Sequence, residues 1–147
     1  STHWDKPPIA EILINGISQH KSEIKGSEKH PTVVEFVKSC QEGEKYTLQI
    51  NRSNKDKRQT VLDKNGEIIK DQLLHIKQIE IDEIDIGALV YEGVYEPKYA
   101  EPWFSQQVKK GTEPSKTLKN VTSMGHNGTW TLAFESPFYM WLLENLY

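Results

Sequence analysis

The spacing of apolar residues changes near Lys45, and that change constrains the fold more than any other feature of the chain. Ahead of it, Ile9, Ile12, Leu13 and Ile17 recur at the spacing of one helix face. Asp5 can cap such a helix, and Pro7 and Pro8 fit its first turn, where backbone N–H groups have no intrahelical acceptor. The pattern predicts a helix over 6–20. After a polar connector holding Gly26, Thr32-Val33-Val34-Glu35 has the form of a capping box, and Val33, Phe36, Val37 and Cys40 share a face. A second helix over 32–43 is expected, stopping at Gly43, with Cys40 buried as a packing residue.

Beyond Lys45 the period is two. Tyr46, Leu48 and Ile50 alternate with polar residues, and a strongly polar stretch over 51–58 leads into 59–62, which reads as a hairpin with a long basic tip. Asp63-Lys64-Asn65-Gly66 is a tight-turn signal, after which 67–69 can pair back. Ile79 and Ile81 alternate in one phase and Ile84 and Ile86 in the other, so a bulge or turn is required at Asp82-Glu83. Residues 89–95 favour strand, whereas Pro97, Pro102, Gly111 and Pro114 punctuate a long irregular loop. A last hairpin is expected to pair 118–124 with 129–134 across Gly125-His126-Asn127-Gly128. Ser136 ahead of Pro137 then caps a closing helix carrying Phe138, Trp141, Leu142 and Tyr147. The fold class expected is α+β: two N-terminal helices packed on a mainly antiparallel sheet, with a short C-terminal helix, in a single domain over 1–147.

A chain of 147 residues with thirteen isoleucines and fourteen aromatics can build one core despite a charged fraction of 27%. A single cysteine excludes an intrachain disulfide, which fits a reducing compartment or an unconstrained secreted domain, the first being preferred. No run of about 18 apolar residues occurs, and the opening Ser1-Thr2-His3-Trp4-Asp5 lacks the basic and apolar regions of a leader. A cytoplasmic location is expected. Sixteen lysines against two arginines fit an AT-rich bacterial or phage genome.

Charge is segregated. Residues 80–101 carry seven carboxylates against Lys98 alone, a net of -6 in a chain of net charge -3. Eleven of the fourteen aromatics follow from Tyr91 onward. An acidic surface bearing tyrosines beside an aromatic loop has the character of a protein-binding face. The residues expected to carry it are Glu80, Asp82, Glu83, Asp85, Tyr91, Glu92, Tyr95, Tyr99, Trp103 and Phe104.

Motifs for other chemistry are weak. No two of His3, His20, His30, His75 and His126 stand at the short spacing of paired metal ligands, and the acidic run lacks the glycine and ligand order of a calcium loop. No metal or cofactor is expected. Gly-x-Ser-x-Gly is absent, so no nucleophile elbow is present and no catalytic residue is assigned. Arg52, Lys55, Lys57 and Arg58 offer an anion or nucleic-acid contact, but with Tyr46 as the lone neighbouring aromatic they read better as a charged hairpin end. Trp103, Trp130 and Trp141 could line a small-ligand pocket, although Trp130, Leu132 and Phe134 alternate as core residues do.

The expectation is therefore a non-enzymatic protein-binding domain, of the kind a bacterial immunity or inhibitor protein provides when it covers the basic site of a cognate toxin or nuclease. Its partner would be a protein with a basic surface, with neither a membrane nor a nucleic acid as the target. Two alternatives stand beside it. One is a small hydrolase or transferase with a pocket near the C-terminal helix, using His126 with Glu135 or Glu144; the other is a nucleic-acid or small-ligand module using the basic hairpin.

Overall fold

The computed structural model describes residues 1–56 and 58–146, the side chains of Tyr139 and Leu146 excepted. The chain opens with a β-hairpin, β1 (Ile9–Ile14) and β2 (Ile17–Glu23), and not with a helix. Asn15 and Gly16 turn it at φ of 50° and 79°, the paired left-handed conformation of the tightest hairpin turns. The helix expected over 6–20 required Gly16 inside it, at a cost of about 1 kcal/mol relative to alanine. Flanking isoleucines meanwhile favour strand. Asn-Gly decides between two patterns that the apolar spacing alone satisfies equally.

The second expected helix is also absent: 24–44 contains neither helix nor strand. The Thr32 hydroxyl, which would have closed a capping box, instead accepts the Gly26 N–H at 2.9 Å. Val34 packs on the core, while Val37 is 96% exposed. A helix of about 12 residues is marginal in water without a surface to bury against. The end of the segment is pinned in an irregular connection, with the Gly43 N–H donating to the Ser136 carbonyl and the Gln41 N–H to the Tyr46 hydroxyl. Cys40, expected to be buried, is exposed.

From Lys45 onward strands dominate. They are β3 (Lys45–Ser53), β4 (Val61–Leu62), β5 (Ile68–Lys70), β6 (Leu74–His75), β7 (Glu80–Ile81), β8 (Ile84–Asp85), β9 (Val94–Pro97), β10 (Leu118–Lys119), β11 (Ser123–Met124) and β12 (Gly128–Glu135). A 3-10 turn occupies Gly87–Glu92, and the helices are α1 (Trp103–Lys109) and α2 (Phe138–Leu146). Six strands form one antiparallel sheet in the order β10-β9-β12-β3-β1-β2. The architecture is thus mostly antiparallel sheet with short helical segments, which corrects the α+β expectation.

Two expected pairings are replaced. β3 lies between β1 and β12 and does not pair with 59–62, because β4 pairs with β5 around the Asp63-Lys64-Asn65-Gly66 turn. β12 runs between β3 and β9, while 118–124 divides into β10 on β9 and β11 on β6. Asn120, at φ of 60°, breaks that segment between its two partners. The closing helix forms as expected, with Tyr147 outside the described residues. So does the reversal at Asp82-Glu83, where β7 and β8 meet.

One face of the sheet makes the core. Ile12 stands opposite Ile50, Ile50 opposite Trp130, and Trp130 opposite Tyr95, giving an apolar row across four strands. Trp130 and Tyr95 are 0% and 1% exposed. Phe138 and Leu142 of α2 close the core against the Phe134 end of β12. On the other face Thr47, Gln49, Asn51, Thr129 and Thr131 remain half-buried and polar, the alternation of a one-sided antiparallel sheet.

Candidate binding site

The inward phase of β3 runs Tyr46, Leu48, Ile50 and then Arg52, so the first residue of the expected basic tip belongs to the buried face. Its cross-strand neighbours are Ala10 and Gly128, and Arg52 is 0% exposed. Arg52 donates from one Nη to Asn127 Oδ1 at 2.9 Å and from the other to the Gln72 carbonyl at 2.6 Å. Burial holds its pKa down to about 10, against the attraction of Tyr95 and Asp71; the group stays charged at neutral pH. Lys55 is drawn in as well. Its ammonium lies 2.8 Å from Asp71 Oδ1, and Asn127 bonds both the N–H and the carbonyl of Lys55. Of the expected basic tip, Arg58 is exposed and bonds Asp56, and Lys57 lies outside the described residues.

This network fixes the turn that carries His126. The Tyr95 hydroxyl donates to the His126 carbonyl and accepts the His126 N–H, so a core ring sets the turn from below. Burial first, then the cations Lys55 and Arg52, hold the His126 imidazole below its ordinary pKa, which keeps it neutral near pH 7.

Over His126 lies an aromatic cluster. The expected irregular loop after Pro97 in fact contains α1, and its rings meet the histidine: Tyr99 at 4.9 Å edge-on and Trp103 at 5.1 Å between centroids. Tyr99 also packs at 5.5 Å on Trp103 and stacks at 5.8 Å on Phe104, inclined by only 9°. The Tyr99 hydroxyl donates to the Ser115 carbonyl at 2.6 Å, tying down the return of the loop. Pro97, Tyr99, Phe104 and Lys116 line an open groove of about 220 Å³. Trp103 is 39% exposed beside it.

The expected interface residues therefore fall into three groups. Glu80, Asp82, Glu83 and Asp85 form the exposed β7–β8 hairpin, with Tyr91 and Glu92 exposed on the following 3-10 turn. Tyr99, Trp103 and Phe104 make the aromatic cluster. Tyr95 separates from both, since at 1% exposure it is a core ring and offers no surface. In the hairpin, Asp82 and Glu83 sit at φ of 53° and 62°, a left-handed pair that glycine and asparagine adopt more readily. Among the described residues none of the six carboxylates over 80–97 is ion-paired.

Other combinations are not assembled. Glu135 is at the far end of β12 from His126, and the strand from Gly128 to Glu135 alone spans about 23 Å at roughly 3.3 Å per residue; Glu135 lies 4.0 Å from Lys45. The groove between sheet and C-terminal helix is lined by Leu89, Glu92, Leu132, Ala133, Trp141 and Asn145, without His126 or Glu144. Trp130 is core and Trp141 packs on Phe138, so neither joins Trp103. Among the described residues no three His, Cys, Asp or Glu side chains converge as a metal would need, and no helix is long and apolar enough to cross a membrane.

Missed by the sequence reading were His126 as the floor of the aromatic cluster, Lys116 at its groove and the Arg52–Lys55–Asp71 network. The inward phase of Arg52 was the available signal for the last; the first two depend on contacts between distant segments. Compared with protein-family models, curated proteins and solved structures, the chain matches none of them.

Proposed function

We propose that the chain is a non-enzymatic protein-binding domain that docks on a basic partner through the β7–β8 hairpin together with Tyr91 and Glu92. The observation that carries this reading is the hairpin tip itself. Two non-glycine residues, Asp82 and Glu83, are held left-handed, although an Asn-Gly pair would fit that turn with less strain. Strain retained at an exposed tip in exchange for two carboxylates favours a role for the charge. Tyr91, 49% exposed on the 3-10 turn that follows the hairpin in the chain, supplies an aromatic surface, as interface centres commonly do. An immunity or inhibitor protein of the bacterial kind is the narrower form of the proposal, with the carboxylates standing where the polyanionic substrate of a toxin or nuclease would lie.

The test begins with capture of a partner by the tagged chain in its native cell. Asp82→Lys with Asp85→Lys should then slow association on the order of tenfold at low salt while leaving the dissociation rate nearly unchanged. An association rate and a salt dependence equal to those of the parent chain would remove the hairpin from the interface.

A further inference from the structure

We propose that the aromatic groove beside α1 is a second binding site, and that it takes a single-stranded nucleic acid. The charge of the chain reverses at Lys98. Six carboxylates and no cation occupy 80–97, whereas 98–119 carries Lys98, Lys109, Lys110, Lys116 and Lys119 against Glu101 and Glu113. Tyr99, Trp103 and Phe104 all fall within that cationic stretch. β9 separates the two regions: its Pro97 end, opposite Gly128, leads to the aromatic cluster, and its Val94 end, opposite Thr131, is entered from the 3-10 turn.

The geometry brings one of these lysines to the rings. Lys116 lines the groove with Tyr99 and Phe104, held there by the bond from the Tyr99 hydroxyl to the neighbouring Ser115 carbonyl. His126 backs Tyr99 and Trp103 at about 5 Å, and Trp103, 39% exposed, is the ring of the three most open to a base. Exposed ring faces stack on bases whatever their identity, and ammonium groups follow a phosphate backbone, which together are the two requirements for binding a single strand. A duplex is disfavoured, because its bases are already stacked and α1 spans only Trp103–Lys109. A neutral sugar would stack on the rings but leave the lysines without a counter-charge. A polyanion lacking bases would use the lysines and leave the rings idle.

The experiment measures fluorescence anisotropy of a labelled oligothymidylate of about 12 nucleotides, within the usual span of such sites, with the full chain. Binding is expected at 50 mM salt and should weaken roughly twentyfold by 200 mM if about three phosphates are neutralised. Trp103→Ala and Lys116→Glu should each weaken it about tenfold or more. Circular dichroism checks the fold, and Lys116→Glu alters only an exposed residue, so one variant stays informative if the other is destabilised. Absence of binding at 50 mM salt overturns the proposal. Binding unchanged by both substitutions does so too, as does equal competition by heparin with no effect of Trp103→Ala, which would mean charge without stacking. If the oligonucleotide does not bind while Trp103→Ala abolishes capture of the protein partner, the rings belong to the protein interface and the nucleic-acid assignment falls.

Discussion

Lys55 Nζ lies 2.8 Å from Asp71 Oδ1, with 13% and 17% of the two side chains exposed, so the loop that follows β3 is tied by a nearly buried ion pair to the segment preceding β6. Burial alone would raise the Asp71 pKa, but Lys55, the Thr60 hydroxyl and the Gln72 N–H together hold it below the ordinary carboxylate value. Removing one member of such a pair leaves the other charge without compensation. Lys55→Met should therefore destabilise the protein by about 2 to 3 kcal/mol, and Lys55→Met with Asp71→Asn by distinctly less. Urea denaturation of the single and double variants measures this. A double variant no better than Lys55→Met would mean that the two residues are not coupled.

Much of the sheet is legible in the sequence where local pattern and turn chemistry agree. Tyr46, Leu48 and Ile50, and again Trp130, Leu132 and Phe134, alternate because one face of β3 and β12 is buried. The phase change between Ile81 and Ile84 marks the Asp82-Glu83 turn correctly. The N-terminal half misleads because Ile9, Ile12, Leu13 and Ile17 satisfy a helical spacing while Asn15-Gly16 specifies a hairpin, and the local turn outweighs the longer pattern. Over 32–43 a sound helix signature finds too little to bury, since Val34 alone of these residues is half-buried, and it goes unused. The candidate site is least legible, since Tyr99 and Trp103 reach His126 only through a turn positioned by Tyr95 and Asn127.

Acid should weaken the fold before its carboxylates titrate. His126 and His75 both have pKa values below the model-peptide value of 6.5, chiefly through burial. A group whose folded pKa lies below its unfolded pKa takes up its proton first in the unfolded chain, so stability is complete above that pH. It falls as the pH drops below about 6.5 and levels off once the folded state also titrates. Asp71 acts in a separate window: its folded pKa is depressed, so its contribution is held above 3.8 and lost only on further acidification. The urea midpoint should fall between about pH 7.5 and pH 5.5, and His126→Asn should reduce that fall. An identical pH profile in the variant would show that His126 titrates as freely folded as unfolded.

The β7–β8 tip offers a trade between stability and binding. Replacing Asp82-Glu83 with Asn-Gly suits the left-handed pair and should raise stability by about 1 kcal/mol. The same change removes two carboxylates, so association with a basic partner should slow. Thermal melting and association kinetics on one variant test both directions. A lower melting temperature would argue against the left-handed turn.

Gly93 isolates a purely steric requirement. Its φ of -64° and ψ of 146° are open to any residue, so no conformational argument reserves the position for glycine. A Cβ there would instead run into the Trp130 indole, a ring that is 0% exposed at the centre of the apolar row. The ring cannot retreat, since Ile50 and Tyr95 flank it on the adjacent strands. Gly93→Ala should therefore cost about 3 kcal/mol, at the upper end of what overpacking a core produces. Combining it with Trp130→Leu should give a double variant less destabilised than the two single effects added together, because the second substitution removes the obstacle met by the first. Chemical denaturation of the four proteins in this cycle measures the coupling. Strict additivity would show that the alanine methyl finds room without touching Trp130.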